Sequence, residues 1–152
     1  KDKIFDIELK YFTSRGHWYH TSWKGDIQKS GGIATNIGVH FFDMLMWIFG
    51  DVKENKVTSH TNEMASGNLD LIKAKVNWML SINANDLPKK AKDEGKKTYR
   101  TLSIDGDEFE FSEGFTELHT NSYKQILEGQ GFPLIETKRA IQLVHDIRNS
   151  NI

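Results

Sequence analysis

One stretch constrains this chain more than any other: residues 31–50, GGIATNIGVHFFDMLMWIFG. Glycines punctuate both ends, which predicts a single helix between them. Nearly every residue inside is apolar; the exceptions are Thr35, Asn36, His40 and Asp43. At about 100° per residue, Asn36, His40 and Asp43 fall within roughly 60° of arc. Ile33, Ile37, Phe41, Met44, Leu45 and Ile48 crowd the opposite side. A surface helix carries a broad charged face. A lone polar stripe on an apolar cylinder predicts a helix buried on most sides. The stripe must meet hydrogen-bond partners, water or a ligand, because unpaired buried polar groups are costly. Two readings are open: a closed internal network in which Asp43 accepts from His40, or a site. The residue types in register, and an unusual loop just before them, favour a site.

The 152 residues suffice for one domain with a sizeable core. Hydrophobic residues make up 38% and charged residues 27%, as in ordinary globular proteins. A net charge of −1 gives no electrostatic case for nucleic acid or an anionic membrane. Cysteine is absent, so there is neither a disulfide framework nor a thiolate metal site, which fits a cytoplasmic protein. No apolar run is expected to reach membrane-spanning length, and no signal peptide is visible. The chain opens Lys1-Asp2-Lys3 without methionine and alternates almost at once. It therefore reads as part of a longer protein.

Residues 4–13 alternate apolar and polar and predict a strand with one face on the core. Residues 14–30, SRGHWYHTSWKGDIQKS, are expected to form a long loop. Its Trp, Tyr and His content argues for recognition by stacking and hydrogen bonding rather than for disorder. Residues 52–61 read as a strand, 62–68 as a turn region and 70–83 as one long strand. Residues 86–97 are a charged loop, expected to be solvated. Alternating runs at 99–104 and 108–112 flank Asp105-Gly106, a hairpin signal. Two helices follow at 116–127 and 136–148. The first has Leu118, Tyr123, Ile126 and Leu127 on its apolar side; the second has Ala140, Ile141, Val144 and Ile147. This order predicts an α+β fold: an open, largely antiparallel sheet with helices packed on one face. The other face is left open and partly apolar, a candidate subunit interface for a homo-oligomer.

Dinucleotide chemistry has no motif here. Gly129-Gln130-Gly131 is the sole G-x-G, without the strand-turn-helix context that gives such glycines meaning. His40 and Asp43 imitate a metal pair on one helix face, but no third ligand is evident, so no metal is expected.

The glycine pair Gly31-Gly32, then Asn36, Gly38, His40, Asp43, Trp47 and Gly50, resemble the signature helix of the Gfo/Idh/MocA oxidoreductases, in their C-terminal α/β domain. The order of elements matches along essentially the whole chain. Many members have Asp where this chain has Asn36. Within the family, RGHWYHTSW from Arg15 to Trp23 and TELHT from Thr116 to Thr120 most resemble bacterial dehydrogenases of UDP-N-acetylglucosaminuronic acid, which serve lipopolysaccharide and surface-polysaccharide synthesis.

The resemblance implies a substrate-binding and oligomerisation domain spanning residues 1–152. Its partner would be an N-terminal Rossmann domain, absent from this chain, that holds most of the NAD or NADP. The reaction implied is NAD-dependent oxidation of a sugar hydroxyl to a ketone, with this chain alone inactive. His40 is the implied catalytic base, because an imidazole ordinarily titrates near neutral pH; in the family a Rossmann-domain lysine shares this task. Asn36, uncharged, is implied to position a hydroxyl, and Asp43 to orient the imidazole from behind. Arg15 would meet a carboxylate or diphosphate. His17, Tyr19, Trp23, His119 and Thr120 complete the implied substrate site. Two alternatives stay open: a family member acting on a free sugar or polyol, where Arg15 would meet no anion, and a non-catalytic sugar-binding or dimerisation module.

Overall fold

The computed structural model describes residues 3–112 and 117–152. Strand β1 (Phe5–Thr13) alternates as its sequence requires: Ile7 and Leu9 are buried while Asp6 and Glu8 are exposed. It forms the centre of a six-stranded sheet with β2 (Val52–His60), β3 (Met64–Leu71), β4 (Ala74–Ser81), β5 (Thr98–Ile104) and β6 (Asp107–Glu110). The order is β2-β3-β4-β1-β5-β6. Every pairing is antiparallel except β1 with β4. The helical crossover after β1 delivers the chain to the far edge as β2. A meander then returns it through β3 to β4 beside β1, and a parallel pair needs such a crossover. At the β5–β6 turn Asp105 and Gly106 both have positive φ, as a two-residue hairpin of this kind requires.

The central helix occupies the expected place with one change. Its first part, Ala34–Gly38, is a π-helical turn, and α3 (Val39–Phe49) continues it. Ile33, Ile37, Phe41, Phe42, Leu45, Met46 and Phe49 are buried. Phe42 meets Trp78 edge-on at 5.2 Å between centroids, and Tyr11 meets Phe41 at 5.1 Å. The helix thus lies over the parallel β1–β4 pair. The wider π turn shifts the register, so Ile48 is 47% exposed rather than on the buried side. Helix α6 (Leu134–Arg148) packs on α3 through Ala140, Leu143, Val144 and Ile147, whereas Ile141 faces outward.

Other expectations change as well. Residues 14–30 are not an irregular loop: α1 (His17–Thr21), a 3-10 turn (Trp23–Gly25) and α2 (Ile27–Ser30) follow one another. Ser22 accepts from the Lys24 amide, and Asp26 accepts from those of Gln28 and Lys29, so short polar side chains cap the 3-10 turn and α2. The expected turn at 62–68 and single strand at 70–83 are instead the β3–β4 hairpin. Gly67 read as a turn residue, but its role is steric: a Cβ there would sit 2.8 Å from Trp78 Cζ2. The charged segment after β4 is not simply solvated, for it forms α4 (Lys89–Asp93) with Leu87 and Ala91 buried. Ser81, register partner of Phe12, donates to Asp86, so this segment covers one end of the open sheet face. The middle of that face carries Asp6, Glu8, Asn68, Asp70, Lys75 and Asn77 and is polar rather than partly apolar.

The stretch Ile27–Phe49 is long and apolar enough to cross a membrane, with mean hydropathy 1.3, against the expectation that no run reaches that length. Its place in the fold accounts for the composition, since 56% of that window is buried against the sheet and α6. The last difference concerns α5 (Leu118–Leu127), which buries none of its residues. The expected start at Thr116 lies outside the described residues.

Candidate active site

Beside the central helix lies a cleft of about 790 Å³, lined by Tyr11, Arg15, Asn36, His40, Arg100 and His119 among others, a size typical of small-molecule sites. Each lining group is fixed by a different element. Arg15 follows β1 directly, and its backbone N–H donates to the Ile82 carbonyl at 3.1 Å. Its side-chain Nε is buried and has no hydrogen-bond partner among the described residues. Arg100 faces the core side of β5, register partner of Tyr11. Its guanidinium lies 5.4 Å over the Tyr11 ring, and Nη2 donates to the Ser112 carbonyl at 3.0 Å. Two arginines and two histidines therefore converge, and no carboxylate is among the described lining residues.

Asn36 sits within the π turn. Its Nδ2 donates to the Tyr19 hydroxyl at 3.0 Å and to the Lys24 carbonyl at 3.3 Å. Both amide protons are thus committed on the loop side, which assigns Oδ1 as the end available to a ligand hydroxyl. Tyr19 is 3% exposed. Burial raises its phenol pKa above the ordinary value, against the Asn36 hydrogen bond and the Arg15 charge. Tyr19 accordingly supports Asn36 from behind instead of facing the cleft, as a direct contact to sugar hydroxyls would require.

His40 is exposed and, among the described residues, makes no side-chain hydrogen bond. No bond joins it to Asp43, so the closed network is not what the fold builds. Asn36 and His40 line the cleft together, while Asp43 joins His40 in a second cleft of about 570 Å³ with Met44, Trp47, Phe132 and Arg139. His40 stands on the ridge between them. His119 reaches the cleft from α5, with Thr120 exposed next to it. His17 and Trp23 point to solvent, with Lys24 Nζ 5.8 Å from the Trp23 ring. Among the described residues no cluster could hold a metal ion. Gly129-Gln130-Gly131 joins two helices rather than a strand and a helix.

Residues 2–78 match the model of an oxidoreductase family's C-terminal alpha/beta domain, that of Gfo/Idh/MocA. The chain belongs to the Gfo/Idh/MocA oxidoreductase family. The fold agrees with solved structures throughout. The WlbA (WbpB) dehydrogenase from Thermus thermophilus in complex with NAD and alpha-ketoglutarate is 45% identical, with TM-score 0.95 over 100% of this chain and 49% of that one. The same dehydrogenase in complex with NAD and UDP-GlcNAcA gives 44% identity and TM-score 0.94, with the same coverage. WlbA from Bordetella pertussis, at 17% identity and TM-score 0.71 over 95% of this chain and 51% of that one, shares the fold. The chain spans about half the length of these relatives.

As a Gfo/Idh/MocA domain, the chain adds cleft residues that motif reading passes over: Tyr11, Arg100, Ser122 and Tyr123. A signal for Arg100 exists. It shares a strand face with Leu102 and Ile104, and a lone arginine on an inward-facing strand row calls for an anion or a carboxylate.

Proposed function

We propose that this chain is the substrate-binding half of an NAD-dependent dehydrogenase that oxidises a hydroxyl of a nucleotide-linked sugar acid. The observation that carries this reading is the cleft in which Arg15, Arg100, His40 and His119 converge, with the Arg15 Nε buried and unpaired among the described residues. Such a site favours a substrate with more than one negative group, and a UDP-linked uronic acid has both a diphosphate and a carboxylate. The Thermus thermophilus relative in complex with UDP-GlcNAcA supports the same substrate class.

In this reading Arg15 and Arg100 neutralise the anionic groups, and charge-assisted bonds of this kind are the strong ones. Asn36 Oδ1 accepts from a sugar hydroxyl and holds the ring in place. His40, exposed and unbonded, takes the proton of the hydroxyl being oxidised. Asp43, one turn further along α3, steadies the imidazolium that forms. NAD supplies the hydride acceptor; the cofactor-binding domain that holds it lies outside this chain, so the chain alone neither binds NAD nor turns over. His119 and Thr120 bring α5 to the substrate. Work in surface-polysaccharide synthesis, a cytoplasmic location and self-association through the polar sheet face complete the proposal. Light scattering over a concentration series checks the last of these.

The test uses the full-length protein with NAD and follows NADH absorbance. A UDP-linked N-acetylated uronic acid should reduce NAD where the free sugar acid and neutral polyols do not. Reduction by a neutral polyol alone would replace the substrate assignment. No reduction by any of them would leave a non-catalytic binding module.

A further inference from the structure

Of the five residues of α1 only Tyr19 is buried. Packing alone would be met by Phe. A buried phenol hydroxyl also calls for a hydrogen-bond partner, and here that partner is the side chain of Asn36. The 3-10 turn at Trp23–Gly25 folds back on α1 so closely that a Cβ at Gly25 would stand 2.7 Å from the Tyr19 carbonyl oxygen. That approach brings the Tyr19 hydroxyl and the Lys24 carbonyl to one amide, 3.0 and 3.3 Å from Asn36 Nδ2. A carbonyl oxygen accepts and cannot donate, so the end of the amide facing Lys24 is the NH2. Turned over, the amide would set Oδ1 against the Lys24 carbonyl, acceptor against acceptor. Asn36 therefore offers an acceptor to the cleft that it lines.

We propose that Tyr19 is a positioning residue that sets substrate specificity without touching substrate: with the Lys24 carbonyl it locks the Asn36 amide, so that the cleft selects a substrate bearing a hydrogen-bond donor on a carbon beside the one oxidised. The inference rests on the reading that a sugar hydroxyl is oxidised here. The reacting hydroxyl has a single proton, and His40 takes it. Asn36 lines the same cleft as His40 and must accept from a different group. Side chains four residues apart on a helix stand about 5–6 Å apart at Cβ, a spacing that suits neighbouring substituents of one sugar ring. The donor is a second hydroxyl or the N–H of an acylamino group. A ketone or a plain hydrogen at that carbon would leave Oδ1 unpaired. Burial raises the Tyr19 pKa, so the phenol stays neutral and the lock holds through neutral pH.

The experiment compares Tyr19→Phe, Asn36→Ala and the double variant in the full-length protein with NAD. Phe keeps the buried ring, and thermal unfolding checks that the fold is retained. The substrates are a UDP-linked N-acetylated uronic acid and analogues lacking the hydroxyl or acylamino group on either carbon beside the oxidised one. The wild-type protein should disfavour one analogue by about tenfold or more in kcat/KM, because that analogue strands a polar group of the site. Tyr19→Phe should narrow this ratio to roughly threefold or less, chiefly by raising KM for the parent substrate. In the Asn36→Ala background Tyr19→Phe should change the ratio no further, whereas a merely structural role would add its own effect. Additive variants, an unchanged ratio in Tyr19→Phe, or a wild-type protein indifferent to every analogue would overturn the proposal. A crystal structure of the Tyr19→Phe protein needs no substrate. In it the Asn36 side chain should leave the Lys24 carbonyl or occupy two rotamers, and a single amide still bonded there would also overturn the proposal. Absence of turnover with every sugar nucleotide, with the amide displaced in that structure, would refute the substrate reading and not the Tyr19 lock.

Discussion

Replacing His40 by Asn in the full-length enzyme separates its chemistry from its packing. The substitution keeps a hydrogen-bonding side chain and removes the titratable ring. The structure sets the stability side of the expectation. His40 is exposed and bonds to no described side chain, so nothing buried is orphaned, and the change should lie within about ±0.5 kcal/mol, as for surface positions without special contacts. Turnover should fall roughly 10²–10⁴-fold, the usual contribution of a positioned base. That corresponds to about 3–5 kcal/mol of barrier. Steady-state NADH formation gives kcat and KM, and urea unfolding gives the stability. KM should move far less than kcat, because Arg15, Asn36 and Arg100 still hold the substrate. A stable protein with near-normal kcat would refute the catalytic assignment and leave the base to the cofactor half. A loss of about 1–3 kcal/mol with kcat retained would instead mean that His40 holds a buried partner, contrary to its exposure.

Three further outcomes test other layers of the reasoning. Arg15→Gln should raise KM for the sugar nucleotide roughly ten- to hundredfold, since a hydrogen bond to a charged group contributes about 1.5–3 kcal/mol; thermal unfolding should barely change. Burial raises the Tyr19 pKa, so its contribution to stability is complete below the unfolded tyrosine value near about 10 and is lost as pH rises through the folded value. In denaturant titrations Tyr19→Phe should therefore flatten the alkaline fall in stability. Gly38→Ala would put a Cβ 2.6 Å from Leu80 Cδ1 and 2.8 Å from a Phe42 ring carbon, and such overpacking should cost about 1–3 kcal/mol in the same assay.

The fold was legible wherever one periodicity ruled. β1 shows its alternation in sequence because one face meets α3 and the other meets solvent, and the β5–β6 hairpin announces itself through Asp105-Gly106. The β3–β4 hairpin was hidden because Gly67 looks like punctuation when its actual work is to leave room for Trp78 across the ladder. Residues 14–30 looked irregular because α1 and α2 are too short for an apolar period to develop. Only the caps Ser22 of the 3-10 turn and Asp26 of α2 betray the segment, and capping residues resemble loop residues when read alone. α5 shows the opposite failure: its apolar side is plain in sequence, yet the fold buries none of it.

The site was legible as a set of residue types but not as an arrangement, and the reason is the π turn at Ala34–Gly38. A regular helix would carry Asn36, His40 and Asp43 down one stripe into one cleft. One wider turn leaves His40 in both clefts, Asn36 on the arginine side and Asp43 on the other. It also brings Asn36 onto the Tyr19 hydroxyl and the Lys24 carbonyl, which fixes its amide and leaves the oxygen for a ligand. An Asp at this position could not donate there as Asn36 does: an ionised carboxylate only accepts, so it would accept a hydrogen bond from the Tyr19 hydroxyl and leave the Lys24 carbonyl without this donor. Asn at this position thus follows from the loop before it. The RGHWYHTSW segment and the central helix form one unit, in which the loop sets the polarity that the helix presents to the cleft.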